Sequence, residues 1–464
     1  GTEHAILLAL VSGTPTGRKH SQELALLALN LLKAPTDLSG EPYLQCRHGS
    51  VEFAAVERVS RRPQVGDRDF GYVDADNHFY EAPDAFYRHG NERVRRFVQW
   101  HEQGKKRFLM FGGAFAPGNA NPTFNPVAKP GAFHETLKAL EQGQVPEGPR
   151  YGRLEPLDPA FMYRDQRIAR MDEQGLERTF IYPTIGLSCE HLFVDDWDLL
   201  YDFFRAFNTW VDEDWGFDYE HRIYSPPLIP MADVHRSVEE LEWAIDKGAR
   251  IITMTPGPWY GRSPADSYFD PFWQRVNDQR LAVIFHAYGG VPAPYTSFYR
   301  DQWMRPPVTN RGHSQMLMSA LLPYHRPVMD SMMAMTLGGL FNRFADLRVC
   351  SIEVGAAWVG YFLHELDHAG SNLVERRITT FDGELVGRPS DVFKQHCYVA
   401  PFPEEDVVEL AGLIGADRVL FGSDWPHPEG VAQPGDFRKF VVELTEAEQQ
   451  MVMRDNALSL VEQR

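Results

Sequence analysis

The chain has 464 residues, 43% hydrophobic and 12% aromatic, enough apolar material for one large domain or two ordinary ones. Sixty-four acidic against forty-six basic residues leave a formal net charge of −18, and no Lys/Arg cluster stands out, which argues against nucleic acid as a partner. The four cysteines (Cys46, Cys189, Cys350, Cys397) are scattered without a Cys-x-x-Cys, and no apolar run nears the ~18 residues of a membrane span, so neither a disulfide framework nor a membrane anchor is expected and a reducing cytoplasm is the default.

In chain order, the first 68 residues read as an N-terminal extension, expected to be poorly ordered and to carry no chemistry, with one short helix at 23–33. From 69 to 464 the pattern changes. Apolar, strand-like segments recur at 72–76, 179–183, 223–231, 250–254, 282–286, 348–353, 396–399 and 419–421. Between them lie helical patterns. Residues 196–215 place Leu199, Leu200, Phe203, Phe204, Phe207 and Trp210 on one face, and 234–247 and 406–414 behave alike, closed by Gly248 and Gly415. Eight strand–helix repeats predict a parallel (β/α)8 barrel of the TIM type. No Gly-x-Gly-x-x-Gly follows the first strand, which weakens a dinucleotide-binding sheet. Two intervals, about 79–178 and 291–329, are too long for plain connections. Each follows a strand, the first and the fifth, so both are expected to roof the carboxyl-terminal face of the barrel. Short helices are expected at 132–142 and 165–174 inside the first.

The ends of the strands carry chemistry. The first ends Asp74-Ala75-Asp76-Asn77-His78, and residues two apart in an extended segment share a side, so Asp76 and His78 can converge. The fifth ends at His286, the sixth at Glu353 and the eighth at Asp424. Any one of these alone is a satisfied core histidine or a turn-capping carboxylate. Barrel closure, however, brings such ends into one ring. Two imidazoles and two carboxylates suit one divalent ion, Zn²⁺ most readily, with Mn²⁺ or Fe²⁺ allowed. Asp424 is placed to act as a general base on metal-bound water. Arg164, Arg305, Arg311 and His313 stand in the insertions and could hold a substrate carboxylate, although a lone arginine is more often a solvated surface charge. His427 could orient the Asp424 turn, Lys129 is a weaker roof candidate, and Trp259, Tyr260, Tyr288 and Trp425 could wall a pocket or simply be core.

The motifs Asp76-Asn77-His78, Phe285-His286, Glu353-Val354-Gly355-Ala356-Ala357-Trp358 and Gly422-Ser423-Asp424-Trp425-Pro426-His427 together resemble the amidohydrolase-related (amidohydrolase 2) family. That family includes decarboxylases similar to aminocarboxymuconate-semialdehyde decarboxylase. The resemblance runs from about Tyr72 to the carboxyl end. It implies a distorted metal-bearing barrel, with Asp76, His78, His286 and Asp424 as ligands of one divalent cation, and by analogy a homodimer. Two positions depart from the pattern: the first strand has Asp-x-His where many relatives have His-x-His or Glu-x-His, and Glu353 stands where the decarboxylases carry a histidine. A carboxylate donates a proton near neutrality only if its surroundings raise its pKa. The first expectation is therefore a metal-dependent hydrolase of a small carboxylated or aromatic amide, ester or lactone. Asp424 and Glu353 would be its acid–base groups, and Arg164, Tyr288, Arg305, His313, Trp425 and His427 its substrate contacts. A nonoxidative carboxy-lyase on the same scaffold is the alternative, and a noncatalytic binding protein with a saturated metal is the third.

Overall fold

The computed structural model describes residues 71–104, 106–115, 123–144, 154–193, 195–287, 325–376 and 385–462. The N-terminal extension, its helix at 23–33, Cys46, Tyr288, Arg305, Arg311, His313 and most of the second insertion lie outside these residues.

Seven regular strands stand at the expected places: β1 (Tyr72–Phe79), β2 (Leu176–Pro183), β3 (Ile223–Tyr224), β4 (Ile251–Thr253), β5 (Ala282–His286), β6 (Arg348–Ile352) and β7 (Cys397–Val399). All pair in parallel, in two runs, β1-β2-β3 and β4-β5-β6-β7. Two seams join the runs. Leu228 bridges Thr253, and Ile229 N–H donates to Thr253 O at 3.0 Å. On the other side Val399 bridges Val419, Leu420 N–H donates to Val399 O (2.9 Å), and Ala75 N–H donates to Phe421 O (2.8 Å). His78 N–H reaching Trp425 O at 2.7 Å completes the ring. The eight-fold closed barrel expected from the repeats is the architecture.

Two staves differ from the sequence expectation. The third is two residues long instead of nine, because Pro226, Pro227 and Pro230 bring no N–H to a ladder. The eighth segment, 419–421, is fully buried and hydrogen-bonded to both neighbours but forms only isolated bridges, since the chain turns away after three residues. By contrast β1 runs three residues further than expected. Its register shifts between Asp74 and Asn77, where the Asp74 carboxylate accepts from Asp76 N–H at 3.1 Å.

The helices follow the apolar periodicity. α1 (Arg164–Gln174) leads into β2, and Gly175 ends it in the left-handed region (φ 72°). α2 (Trp197–Asp214) is capped by Asp196, whose side chain accepts from Leu199 N–H, and all six residues of the expected face are buried. Each such aromatic contributes roughly 1.5–3 kcal/mol on burial. α3 (Val234–Asp246) is capped by Asp233 in the same way. In the first insertion an antiparallel hairpin (Val98–Gln103 with Lys106–Phe111) and a helix (Ala132–Glu141) are present. Cys189, Cys350 and Cys397 are free and buried, serving as small hydrophobes. No described helix is long and apolar enough to cross a membrane.

Candidate metal centre

The carboxyl ends of β1, β5, β6 and the eighth segment meet. One ligand atom each from Asp76, His78, His286 and Glu353 lies within 4.8 Å of the others, and all four residues are buried. His78 Nε2 is 3.4 Å from Asp76 Oδ1, 3.4 Å from Asp424 Oδ1 and 3.6 Å from Glu353 Oε2. His286 Nε2 is 3.2 Å from Asp76 Oδ1. Asp76, His78 and His286, three of the expected ligands, thus share one cluster, and the fourth, Asp424, touches it at His78. Glu353, expected to act on substrate, stands among them.

The local backbone explains the delivery. Asp74 ties β1 to the eighth segment: its carboxylate accepts from Ser423 N–H (3.0 Å), Ser423 Oγ (2.6 Å) and Asn77 Nδ2 (3.0 Å). Arg167, wholly buried on α1, donates to Asn77 Oδ1, to His78 O (2.7 Å) and to Ala160 O (2.7 Å). Its guanidinium also lies over the Trp425 ring, 4.6 Å from the centroid, which pins the strand end and the Asp424 turn together. Glu353 (φ 56°) and Asp424 (φ 54°) both sit in the left-handed region. Side chains there cost on the order of 1–3 kcal/mol, a strain that persists where the surroundings fix a functional geometry. Gly430 lets the turn fold back, since a Cβ there would meet Asp424 O at 2.5 Å.

The residues fit a divalent cation. His286 Nδ1 donates to Ala287 O at 2.7 Å, so in the neutral ring Nε2 presents a lone pair towards the Asp76 carboxylate. Both ring nitrogens of His78 are buried without a hydrogen-bond partner, although carboxylates surround Nε2. Electron-rich atoms facing each other at such distances need a positive charge between them, a proton on the ring or a metal cation. Donors bound at ~2.0–2.3 Å end up about 3–4.5 Å apart, which these separations match.

The charges respond accordingly. Burial alone would raise Asp76, but the facing imidazoles of His286 and then His78 hold it well below the usual carboxylate range. Burial opposes protonation of His78, yet Asp76 and Glu353 outweigh it and push the imidazole up to about 9. Asp424 moves well above its ordinary value, through burial first and then the neighbouring Glu353 and Glu429. Burial, and then His78, drive His427 well below the ordinary imidazole value. Its Nδ1 lies 2.7 Å from Asp424 Oδ1, its Nε2 3.1 Å from Thr184 Oγ1, and its ring stacks on His78 at 4.0 Å.

Among the other expected contacts, Trp425 is buried between Arg167 and the edge of Phe161, which makes it framework of the turn. Arg164 is engaged elsewhere: its guanidinium covers the Tyr219 ring at 3.8 Å and donates to Glu213 O. Lys129 pairs with Glu135 at 3.4 Å, but its segment straps the site, with Gly131 N–H on His427 O and Phe133 N–H on Pro428 O. Trp259 packs on Phe269 and Tyr260 on Trp197.

Sequence reasoning missed Glu429, Thr184 and Arg167. Glu429 groups with Glu353, Asp424 and His427, and its carboxyl is pushed up to about 7 by desolvation and by Glu353. Arg167 had one readable signal, sharing the buried face of α1 with Met171 four residues on. Thr184 had none.

The amidohydrolase family profile matches residues 73–462. A solved amidohydrolase from Mycobacterium avium subsp. paratuberculosis is 33% identical, with a TM-score of 0.74 over 85% of this chain and 100% of that one. Gamma-resorcylate decarboxylase from a Polaromonas species is 22% identical over 306 residues, 64% of this chain and 86% of its own length. 5-Carboxyvanillate decarboxylase from Novosphingobium aromaticivorans, solved with manganese and 4-hydroxy-3-methoxy-5-nitrobenzoic acid, shares the fold (TM-score 0.55, 14% identity, 84% of this chain and 96% of that one). With its family profile matched from the first barrel strand to the last helix, and its strand-end motifs gathered at one centre, the chain belongs to the amidohydrolase family.

Proposed function

We propose that this protein is a metal-dependent carboxy-lyase that releases CO₂, without oxidation, from a small hydroxylated aromatic acid. The observation that carries the reading is the Asp424–His427 pair, 2.7 Å apart at the edge of the ligand cluster. Hydrolysis needs a base beside the reacting centre, whereas replacing a carboxylate by hydrogen needs an acid. Burial, and then the neighbouring Glu353 and Glu429 carboxylates, push Asp424 towards its protonated form, and it is the group placed to give a proton. The objection raised by Glu353 then loses its force, because the proton does not have to come from the sixth strand. Similarity to two decarboxylases supports the same reading.

A divalent ion held by Asp76, His78, His286 and Asp424, with Glu353 alongside, would neutralise the substrate's carboxylate and an adjacent oxygen. The oxygen-rich donor set suits Mn²⁺ at least as well as Zn²⁺. Asp424 gives its proton to the ring carbon as the C–C bond to the carboxylate breaks. The electron pair of that bond becomes the new C–H bond, CO₂ departs, and the Asp424 carboxylate takes up a proton from solvent before the next turnover. Hydrolysis by metal-activated water, with Asp424 as base, is the second reading.

The test is to incubate manganese-loaded protein in D₂O with a panel of hydroxybenzoates and, separately, with amides, esters and lactones. CO₂ release with deuterium at the vacated ring carbon is expected. Asp424→Asn should cut turnover by about 10²–10⁴-fold, the usual worth of a positioned proton donor. Turnover of amides or lactones with every acid left intact would replace the carboxy-lyase reading by the hydrolytic one.

A further inference from the structure

We propose that Thr184, just beyond the end of β2, is a positioning residue that locks His427 with a proton on Nε2, so that Nδ1 serves as Asp424's proton partner. The inference deepens the carboxy-lyase reading and rests on it for its catalytic part.

The argument is one of donors and acceptors. Thr184 Oγ1 lies 2.9 Å from Phe79 O. A carbonyl can only accept, so the single hydroxyl proton goes there. What Thr184 offers His427 Nε2, 3.1 Å away, is a lone pair, and Nε2 must therefore carry hydrogen. In the neutral ring Nδ1 is then the unprotonated atom, and it faces Asp424 Oδ1 at 2.7 Å. Two lone pairs do not approach so closely, so one proton lies between His427 and Asp424.

The surroundings hold both partners still. Thr184 cannot swing away, because the adjacent Ile185 and Gly186 N–H groups both donate to Glu81 Oε1, at 2.7 and 2.8 Å. Phe79 and Glu81 thus clamp residues 184–186 to the chain just after the metal motif. The His427 ring cannot turn over either. It stacks on His78 (4.0 Å) and Tyr80 (6.0 Å), and Tyr80 in turn stacks on Phe124 (4.3 Å). A flipped ring would put carbon where both hydrogen bonds now are.

Thr184→Val keeps the shape and removes the acceptor, while Thr184→Ser restores it. In the metal-loaded enzyme the valine variant should lose about 10–100-fold in kcat, the usual cost of removing such an outer partner. KM and metal content should stay at wild-type values, and serine should recover most of the loss. In zinc-loaded protein labelled with ¹⁵N-histidine, Nε2 of His427 should show the protonated shift in the wild type and a mixture of tautomers in the valine variant. A wild-type Nε2 without hydrogen, or a valine variant with unchanged kcat, or a loss that serine does not repair, overturns the proposal. If the wild type releases CO₂ from no acid, the carboxy-lyase reading fails by itself, and the nitrogen spectra still decide the tautomer.

Discussion

Glu81 accepts two backbone N–H groups on one carboxylate oxygen, while the other oxygen is buried without a partner. Burial pushes its pKa up to about 7 from an ordinary 4.5. The folded state therefore binds more protons than the unfolded chain between those values, so stability falls as pH rises through that window. The penalty is complete about one unit above pH 7 and is then about 3 kcal/mol. Glu81→Gln keeps the accepting oxygen and cannot ionise. Denaturant unfolding at pH 5 and pH 7.5 should show a decline in the wild type that is smaller in the variant. Equal declines would mean that Glu81 is ionised throughout. At this scale the sequence was readable wherever chemistry sits at a strand end: Asp76, His78, His286, Glu353 and Asp424 all do. It was silent where the partner is remote. Glu81 meets residues 104 positions away and Thr184 meets His427 across 243, and no local pattern encodes such a meeting.

Among the elements, α2 is where periodicity spoke most clearly. Six apolar residues on one face were expected to be buried, and they are. Phe207 stacks on Phe86 at 4.9 Å, and a Cβ on Gly186 would meet its ring at 2.7 Å, so the helix lies directly under the segment that carries Thr184. Phe207→Ala should cost about 3–5 kcal/mol in denaturant unfolding, as large-to-small changes in a packed core do. A cost below 1 kcal/mol would mean that the helix repacks freely. Strand lengths were less legible than helix faces. The third stave is cut by prolines and the eighth is only three residues long, so neither carries a period of its own. Their neighbours supply the hydrogen bonds that make them staves. The 37 residues at 288–324 include three of the expected substrate contacts and lie outside the described structure.

For the molecule as a whole, the buried ligand cluster makes folding and metal binding one equilibrium. Four carboxylates (Asp76, Glu353, Asp424, Glu429) and three imidazoles crowd one end of the barrel, and the free protein must hold them together without an ion. Any ligand that binds only the folded state stabilises it by mass action, by about 2.7 kcal/mol at 100 times Kd. Removing the metal with a chelator should therefore lower the unfolding midpoint, and Mn²⁺ or Zn²⁺ should restore it in proportion to concentration. His78→Ala should abolish that response. A midpoint indifferent to chelation would mean that these residues do not grip an ion.

The seam between β1 and the eighth segment has a consequence for biosynthesis. The proposed ligands lie at 76, 78, 286 and 424, and the hydrogen bonds that close the ring join Ala75 to Phe421 and His78 to Trp425. A chain growing on the ribosome thus exposes its first two ligands long before the last stave exists. Until residue 424 has emerged and docked, any ion captured by the nascent polypeptide is held by an incomplete grip. Competence for turnover should accordingly switch on late and abruptly during translation, with the closing stave acting as the clasp of a bracelet.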